Sequence, residues 1–208
     1  MRIVKVKICG ITTLEDAHLA IDLGADILGF NFFGGSPRYL PCEQAARIAV
    51  QLPAFVSLAG VFVNAEAPTI RDTARQCHLE WIQLHGDETP EFCEQFHGDS
   101  LRVIKALRVK NVQDVTRAES YRDTDAVLLD AFSSGQYGGT GQTFDWGLLG
   151  HTNHRIFLAG GIGPHNVQAA ADTGVFGIDV CSGVESSPGR KDPDKMRALF
   201  EGLRQVRR

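Results

Sequence analysis

Ile3-Val4-Lys5-Val6-Lys7-Ile8-Cys9-Gly10-Ile11-Thr12-Thr13 is the stretch that decides the reading of this chain. Val4, Val6 and Ile8 alternate with polar residues, which predicts a strand over 3–9 with one apolar face. Gly10 ends it. Thr12 or Thr13 then caps a helix over 13–23, with Glu15 and Asp16 in the first turn where the helix dipole favours negative charge. Gly24 stops that helix, and 27–32 resumes as a strand.

The same unit recurs outward to the C-terminus. Strands are predicted over 55–63, 81–85, 101–107, 126–131, 156–159 and 177–181. Helices are predicted over 41–51, 67–77, 90–96, 111–120, 164–173 and 193–206, with a weak one near Trp146. Such alternation builds parallel βαβ units. About eight pairs point to an α/β chain folded as a (β/α)₈ TIM barrel, a single domain over 1–208. An open doubly wound sheet is the alternative, but the first turn carries Cys9-Gly10 where that fold favours a run of glycines.

The bulk composition narrows the function. A formal net charge of −4 gives no reason to expect nucleic acid or an anionic membrane as partner. The basic end Arg204-Gln205-Val206-Arg207-Arg208 reads as a solvated helix terminus. Neither a secretory leader nor a long apolar run is visible, so the expected compartment is the cytoplasm. Cys9, Cys42, Cys77, Cys93 and Cys181 lack CxxC spacing, which argues against a disulfide framework or a zinc site.

Strand parity then sorts side chains. With Val6 and Ile8 packed on helices, Lys7 and Cys9 point into the barrel. The same rule turns Gln83 and His85, Leu128 and Asp130, and Asp179 and Cys181 inward, with Asn31 and Lys105 added from the second and fifth strands. These polar groups gather at the strands' C-terminal ends, where barrels build active sites. Closure of the barrel brings the first and last strands together, so Lys7 and Asp179 are expected to form an ion pair under the mouth.

Three glycine-rich segments follow the later strands: Gly138-Gly139-Thr140-Gly141-Gln142, Gly160-Gly161-Ile162-Gly163, and Ser182-Gly183-Val184 running on to Ser186-Ser187-Pro188-Gly189. Backbone N–H groups freed by glycine can approach an anion closely, and loops after strands seven and eight of a barrel commonly hold phosphate. The first segment lacks the Lys-Ser/Thr of a P-loop. With no metal-binding or dinucleotide motif, the expected chemistry uses no cofactor. An acid and a base, Asp130 and Cys9, would isomerise a sugar phosphate. On residue type alone Cys9 could equally be a nucleophile partnered by His85, or an inert packing thiol.

The motifs resemble the N-(5′-phosphoribosyl)anthranilate isomerase family along the whole chain. The matching residues are Lys7-Ile8-Cys9-Gly10-Ile11-Thr12, Ser36-Pro37-Arg38-Tyr39, Gln83-Leu84-His85-Gly86-Asp87-Glu88, Leu128-Leu129-Asp130-Ala131, Gly138-Gly139-Thr140-Gly141 with Phe144-Asp145-Trp146, Ala159-Gly160-Gly161-Ile162 and Asp179-Val180-Cys181-Ser182-Gly183-Val184-Glu185. The resemblance implies an Amadori rearrangement in tryptophan biosynthesis, with Cys9 as general base and Asp130 as general acid. It implies Arg38 for the anthranilate carboxylate, and Asp179, Gln83 and His85 as further substrate contacts. Gly141, Gly160, Gly161, Ser182 and Gly183 would hold the phosphate. The implied partner is a small phosphosugar, with no metal, and a monomer or homodimer. Cys181 departs from the family, which usually has serine there. Other phosphosugar barrels, or a barrel that binds without catalysing, are the alternatives.

Overall fold

A computed structural model describes residues 4–131 and 143–206. Eight parallel strands close in sequence order into the expected barrel: β1 Lys5–Cys9, β2 Ile27–Asn31, β3 Ser57–Phe62, β4 Trp81–Leu84, β5 Arg102–Val109, β6 Ala126–Ala131, β7 Ile156–Leu158 and β8 Gly177–Val180. Around them lie α1 Leu14–Leu23, α2 Cys42–Ala49, α3 Ala67–Gln76, α4 Pro90–Glu94, α5 Val112–Thr116, α6 Val167–Asp172 and α7 Pro193–Val206.

Local chemistry sets the helix bounds. The Thr13 side chain accepts from Asp16 N at the start of α1, and Gly24 closes it in the left-handed region at φ 110°. Asn111 and Asp114 form a reciprocal capping box on α5. The helix expected over 164–173 begins later, at Val167, because Asn166 ties down the preceding turn. Its side chain accepts from Gly163 N (2.9 Å) and donates to Gly161 O (3.0 Å). Near Trp146 the chain forms only a 3₁₀ segment, Trp146–His151.

Parity divides the apolar residues into two layers. Ile27, Trp81, Leu128 and Phe157 fill the barrel interior with small residues such as Ala59 and Ala126 between them. Val6, Ile8, Ile82, Leu84, Val127, Leu129, Ile178 and Val180 face the helices instead. Each large apolar side chain buried in either layer contributes about 1.5–3 kcal/mol. On β5 the expectation fails. Ile104 and Ala106 take the interior positions, so Lys105 points outward, and its Nζ is held by Glu88 Oε2 (2.6 Å), Gly86 O (2.8 Å) and Leu84 O (3.1 Å). Lys105 is a structural cation between β5 and the layer outside it.

A second correction concerns the segment after β8. Ser186-Ser187-Pro188-Gly189 is part of a hairpin, with β9 Glu185–Ser187 antiparallel to β10 Arg190–Lys191 and Gly189 at φ 81° in the turn. This hairpin folds back over the ends of β1 and β8 and delivers Glu185 and Lys191 to the site.

Candidate active site

The C-terminal ends of the strands open onto a cavity of about 460 Å³. Cys9, Arg38, Gln83, His85, Asp130 and Asp179 all line it. Parity on β1, β4, β6 and β8 therefore brings the expected acid, base and polar residues into one space.

The barrel seam forms one wall. Lys7 lies in register with Asp179, and its Nζ donates to Asp179 Oδ1 at 2.8 Å, the ion pair expected from parity. Lys7 is wholly buried, and although burial opposes its charge, the Asp179 carboxylate and the Cys9 sulfur keep it firmly protonated. Burial pushes the Asp179 carboxyl up to about 6, against the pull of Lys7. Ile8 pairs with Val180, so Cys9 and Cys181 follow as neighbours at the top of the seam.

Their environment bears on what residue type alone leaves open. Cys9 is held well below the ordinary thiol range, chiefly by the adjoining Cys181 thiol. Burial opposes this, while the Lys7 and Lys191 ammonium groups reinforce it. Cys181 is pushed up. Packing thiols elsewhere behave oppositely: burial drives Cys93 up to about 11 and Cys77 to about 12. Cys9 thus sits in surroundings that favour a thiolate.

Gly29 on β2 makes this closeness possible. A Cβ there would lie 3.0 Å from Cys9 Sγ and 3.2 Å from Lys7 Nζ. Nothing in the sequence singled out Gly29. Its signal is a glycine inside a strand, which marks a close approach of other atoms.

Across the cavity, Asp130 Oδ2 lies 3.5 Å from His85 Nε2. His85 Nδ1 is 2.8 Å from Gln83 Nε2. The Gln83 amide thus meets the His85 ring on its Nδ1 side, and Nε2 faces Asp130. Gln83 Oε1 and His85 Nε2 are buried with no hydrogen-bond partner among the described residues. Two such atoms at a cavity wall are what a polar ligand would satisfy. Gly160 stands at φ 86°, and a Cβ on it would come 2.9 Å from Asp130 Oδ1, so glycine lets the β7 exit loop lie against the acid.

Arg38 is half-buried and its fork is already engaged. Nε donates to Glu185 Oε1 (2.9 Å) and Nη2 to Glu185 Oε2 (2.7 Å). A ligand carboxylate would meet the other edge of the guanidinium. Gly34 and Gly35 precede Arg38, and two adjacent glycines favour a loose loop. Asn31 instead ties it, accepting from Phe33 N (2.9 Å) and donating to Ser36 Oγ (3.2 Å), which in turn accepts from Arg38 N (3.1 Å).

Glu185 and Lys191 were missed as site residues. Lys191 Nζ donates to Cys9 O (2.6 Å), Glu185 Oε1 (3.1 Å) and Cys181 O (3.3 Å). One buried cation therefore joins the ends of β1 and β8 to the acid that holds Arg38. The contact to Cys9 spans 182 positions, so only the Pro188-Gly189 turn hinted at it.

Of the expected phosphate loops, Gly160, Gly161 and Ser182 line the cavity. Gly161 is also left-handed, at φ 60°. Gly183 lies behind this lining, pressed on the Ile162 carbonyl where no Cβ fits. Gly141 and the rest of 138–142 lie outside the described residues. Among the described residues no group of three His, Cys, Asp or Glu side chains is placed to hold a metal ion.

A parallel barrel whose mouth sets a favoured thiolate opposite a carboxyl group, with left-handed glycines on the rim, defines an enzyme of the acid–base type that works on small polar substrates. The chain belongs to the N-(5′-phosphoribosyl)anthranilate isomerase family, whose model matches residues 6–202. A relative of that name from Citrifermentans bemidjiense is 49% identical over 205 residues, covering 97% of this chain and 98% of the relative. The crystal structure of phosphoribosyl anthranilate isomerase from Thermotoga maritima superposes with a TM-score of 0.90 at 42% identity, covering 97% of this chain and 99% of that one. A phosphoribosyl anthranilate isomerase in complex with reduced 1-(o-carboxyphenylamino)-1-deoxyribulose 5-phosphate gives 0.86 at 41% identity, with the same coverage.

Proposed function

We propose that this chain converts N-(5′-phosphoribosyl)anthranilate to 1-(2-carboxyphenylamino)-1-deoxyribulose 5-phosphate, the isomerisation step of tryptophan biosynthesis. The observation that carries the reading is a thiolate-favouring Cys9 and an Asp130 carboxyl on opposite walls of one cavity.

The chemistry follows from that arrangement. Asp130 gives its proton to the ribose ring oxygen, and the anthranilate nitrogen lone pair expels that oxygen from C1′, leaving an open-chain imine. His85 beside Asp130 positions the carboxyl and partners it once ionised. The Cys9 thiolate then takes the proton from C2′, and the enolamine that forms tautomerises to the ketose. Lys7, Cys181 and Lys191 keep Cys9 ready by stabilising its charge before the substrate arrives.

Binding groups surround the reacting atoms. Arg38, oriented by Glu185, takes the anthranilate carboxylate. Gly160, Gly161 and Ser182, with Gly141 from the loop after β6 and Gly183 supporting the turn, take the phosphate. Gln83 and Asp179 take ribose hydroxyls. A monomer or a homodimer would carry this site. No described helix is long and apolar enough to cross a membrane. A cytoplasmic setting fits a substrate of this charge and the free thiols.

Purified protein should accelerate the loss of phosphoribosylanthranilate fluorescence. No acceleration with verified substrate would sink the assignment.

A further inference from the structure

The neighbouring thiols at the top of the seam have a chemistry that isomerisation does not use. Lys7 and Asp179 are in register, point into the barrel and touch, and the next positions on that side are Cys9 at the end of β1 and Cys181 just past the end of β8. Parallel neighbours lie roughly 4.8 Å apart, within the span of roughly 4.4–6.8 Å that a disulfide bridges. Each sulfur lies against a glycine at this end of the seam: a Cβ on Gly10 would be 3.0 Å from Cys181 Sγ, and one on Gly29 3.0 Å from Cys9 Sγ. Both cysteines also line the open cavity, so a small solute reaches them.

From this geometry we infer that Cys9 and Cys181 form a modification site that consumes one hydroperoxide and closes to a disulfide. The Cys9 sulfur attacks the terminal peroxide oxygen. The S–O bond forms, the O–O bond breaks, and the departing hydroxide or alkoxide leaves as water or alcohol. Cys9 is thereby oxidised by two electrons to a sulfenic acid. The Cys181 sulfur then attacks Cys9, the S–S bond forms, and the S–O bond breaks. The released hydroxide takes the Cys181 proton and leaves as water. Two thiols and one hydroperoxide become a disulfide, water and an alcohol or second water. A thiolate-favouring site speeds the first step, since the thiolate is the nucleophile.

A second close pair marks what is particular about this one. Cys42 Sγ and Cys77 Sγ are 3.5 Å apart between α2 and α3, yet burial holds Cys77 up at about 12, as a poor nucleophile. A serine at 181 could not resolve a sulfenic acid, because its hydroxyl oxygen cannot form a disulfide with Cys9.

The test uses the full chain with Cys42→Ser, which removes the second pair, treated with hydrogen peroxide and digested without reductant. The expected result is a cross-linked peptide joining Cys9 to Cys181, lighter by two hydrogen atoms than the separate peptides and released by dithiothreitol. In Cys42→Ser/Cys181→Ser the cross-link is absent, a dimedone adduct appears on Cys9, and prolonged peroxide leaves added oxygen that dithiothreitol does not remove. Cys9 and Cys181 both remaining open to alkylation after peroxide, or Cys9 gaining oxygen without ever linking to Cys181, overturns the inference. Because Cys9 is also the proposed base, turnover should vanish with cross-linking and return on reduction. A cross-linked protein with undiminished turnover would leave the modification site standing and remove Cys9 from the isomerase mechanism.

Discussion

Replacing Lys7 with methionine should disable Cys9 without touching it. The two groups flank the position a Cβ would occupy on Gly29, at 3.2 Å from Lys7 Nζ and 3.0 Å from Cys9 Sγ, so they are at most about 6 Å apart. At an effective dielectric of about 20, an ammonium and a thiolate at that distance attract by roughly 3 kcal/mol, or about two pK units. Lys7→Met removes this attraction, and the thiol then ionises at higher pH. The acid limb of the kcat/KM profile should move up by about two units, and turnover below the new limb should fall roughly a hundredfold, recovering toward alkaline pH. The fold should tolerate the change. Asp179 is already held up at about 6 and can take a proton once its cation is gone. Should Lys7→Met prove unstable, Lys7→Met/Asp179→Asn removes both charges together. Iodoacetamide labelling of Cys9 against pH reads the same shift without substrate. A folded variant whose acid limb and labelling curve both stay at the wild-type position would refute the electrostatic account.

Other substitutions address the remaining roles. Cys9→Ser and Asp130→Asn should each reduce kcat by roughly 10²–10⁴-fold, as expected for a lost base or acid, while titration with a product analogue shows binding retained. Near-wild-type turnover in either would remove that residue from the mechanism. Gly29→Ala forces a methyl against Cys9 and Lys7, so kcat should fall about tenfold or more with little change in KM; steady-state kinetics distinguishes this from a binding defect. For Asp179 the folded carboxyl titrates near 6, above its usual value of 3.8, so the folded state holds its proton longer than the unfolded one does. Its stabilising contribution is therefore full below about 3.8 and declines as pH rises to about 6. Denaturation midpoints of wild type measured against those of Asp179→Asn should fall across that window, and a flat difference would refute the titration.

The barrel and most of its inward residues were legible because β1 and β8 have one apolar face and one that carries the polar residues, while Asp130 is the lone polar residue of β6. Alternation then fixes direction, and closure brings β1 beside β8. On β5 this logic has no purchase: Val103, Ile104, Ala106 and Leu107 are buried on both faces, and the Glu88 carboxylate with the Gly86 and Leu84 carbonyls shows which way Lys105 turns. Arg38 was found from its motif, but its partner Glu185 is 147 positions away, and local pattern does not reveal such pairs. The hairpin of β9 and β10 was hidden for a related reason, since a Pro-Gly turn suits a ligand loop and a hairpin equally. The thiolate-favouring surroundings of Cys9 depend on Lys7, Cys181 and Lys191 converging, which required all three elements in place.

The clamp made by Lys191 also bears on how the molecule is made. Its bond to the Cys9 carbonyl joins residues 182 positions apart, so the groove around the thiol cannot be completed until residue 191 has been made. The ribosome must release the chain through Lys191 before the clamp can close on the first strand. Until then Cys9 is an ordinary cysteine on an unclosed sheet. Activity should therefore appear late and all at once in a time course of translation.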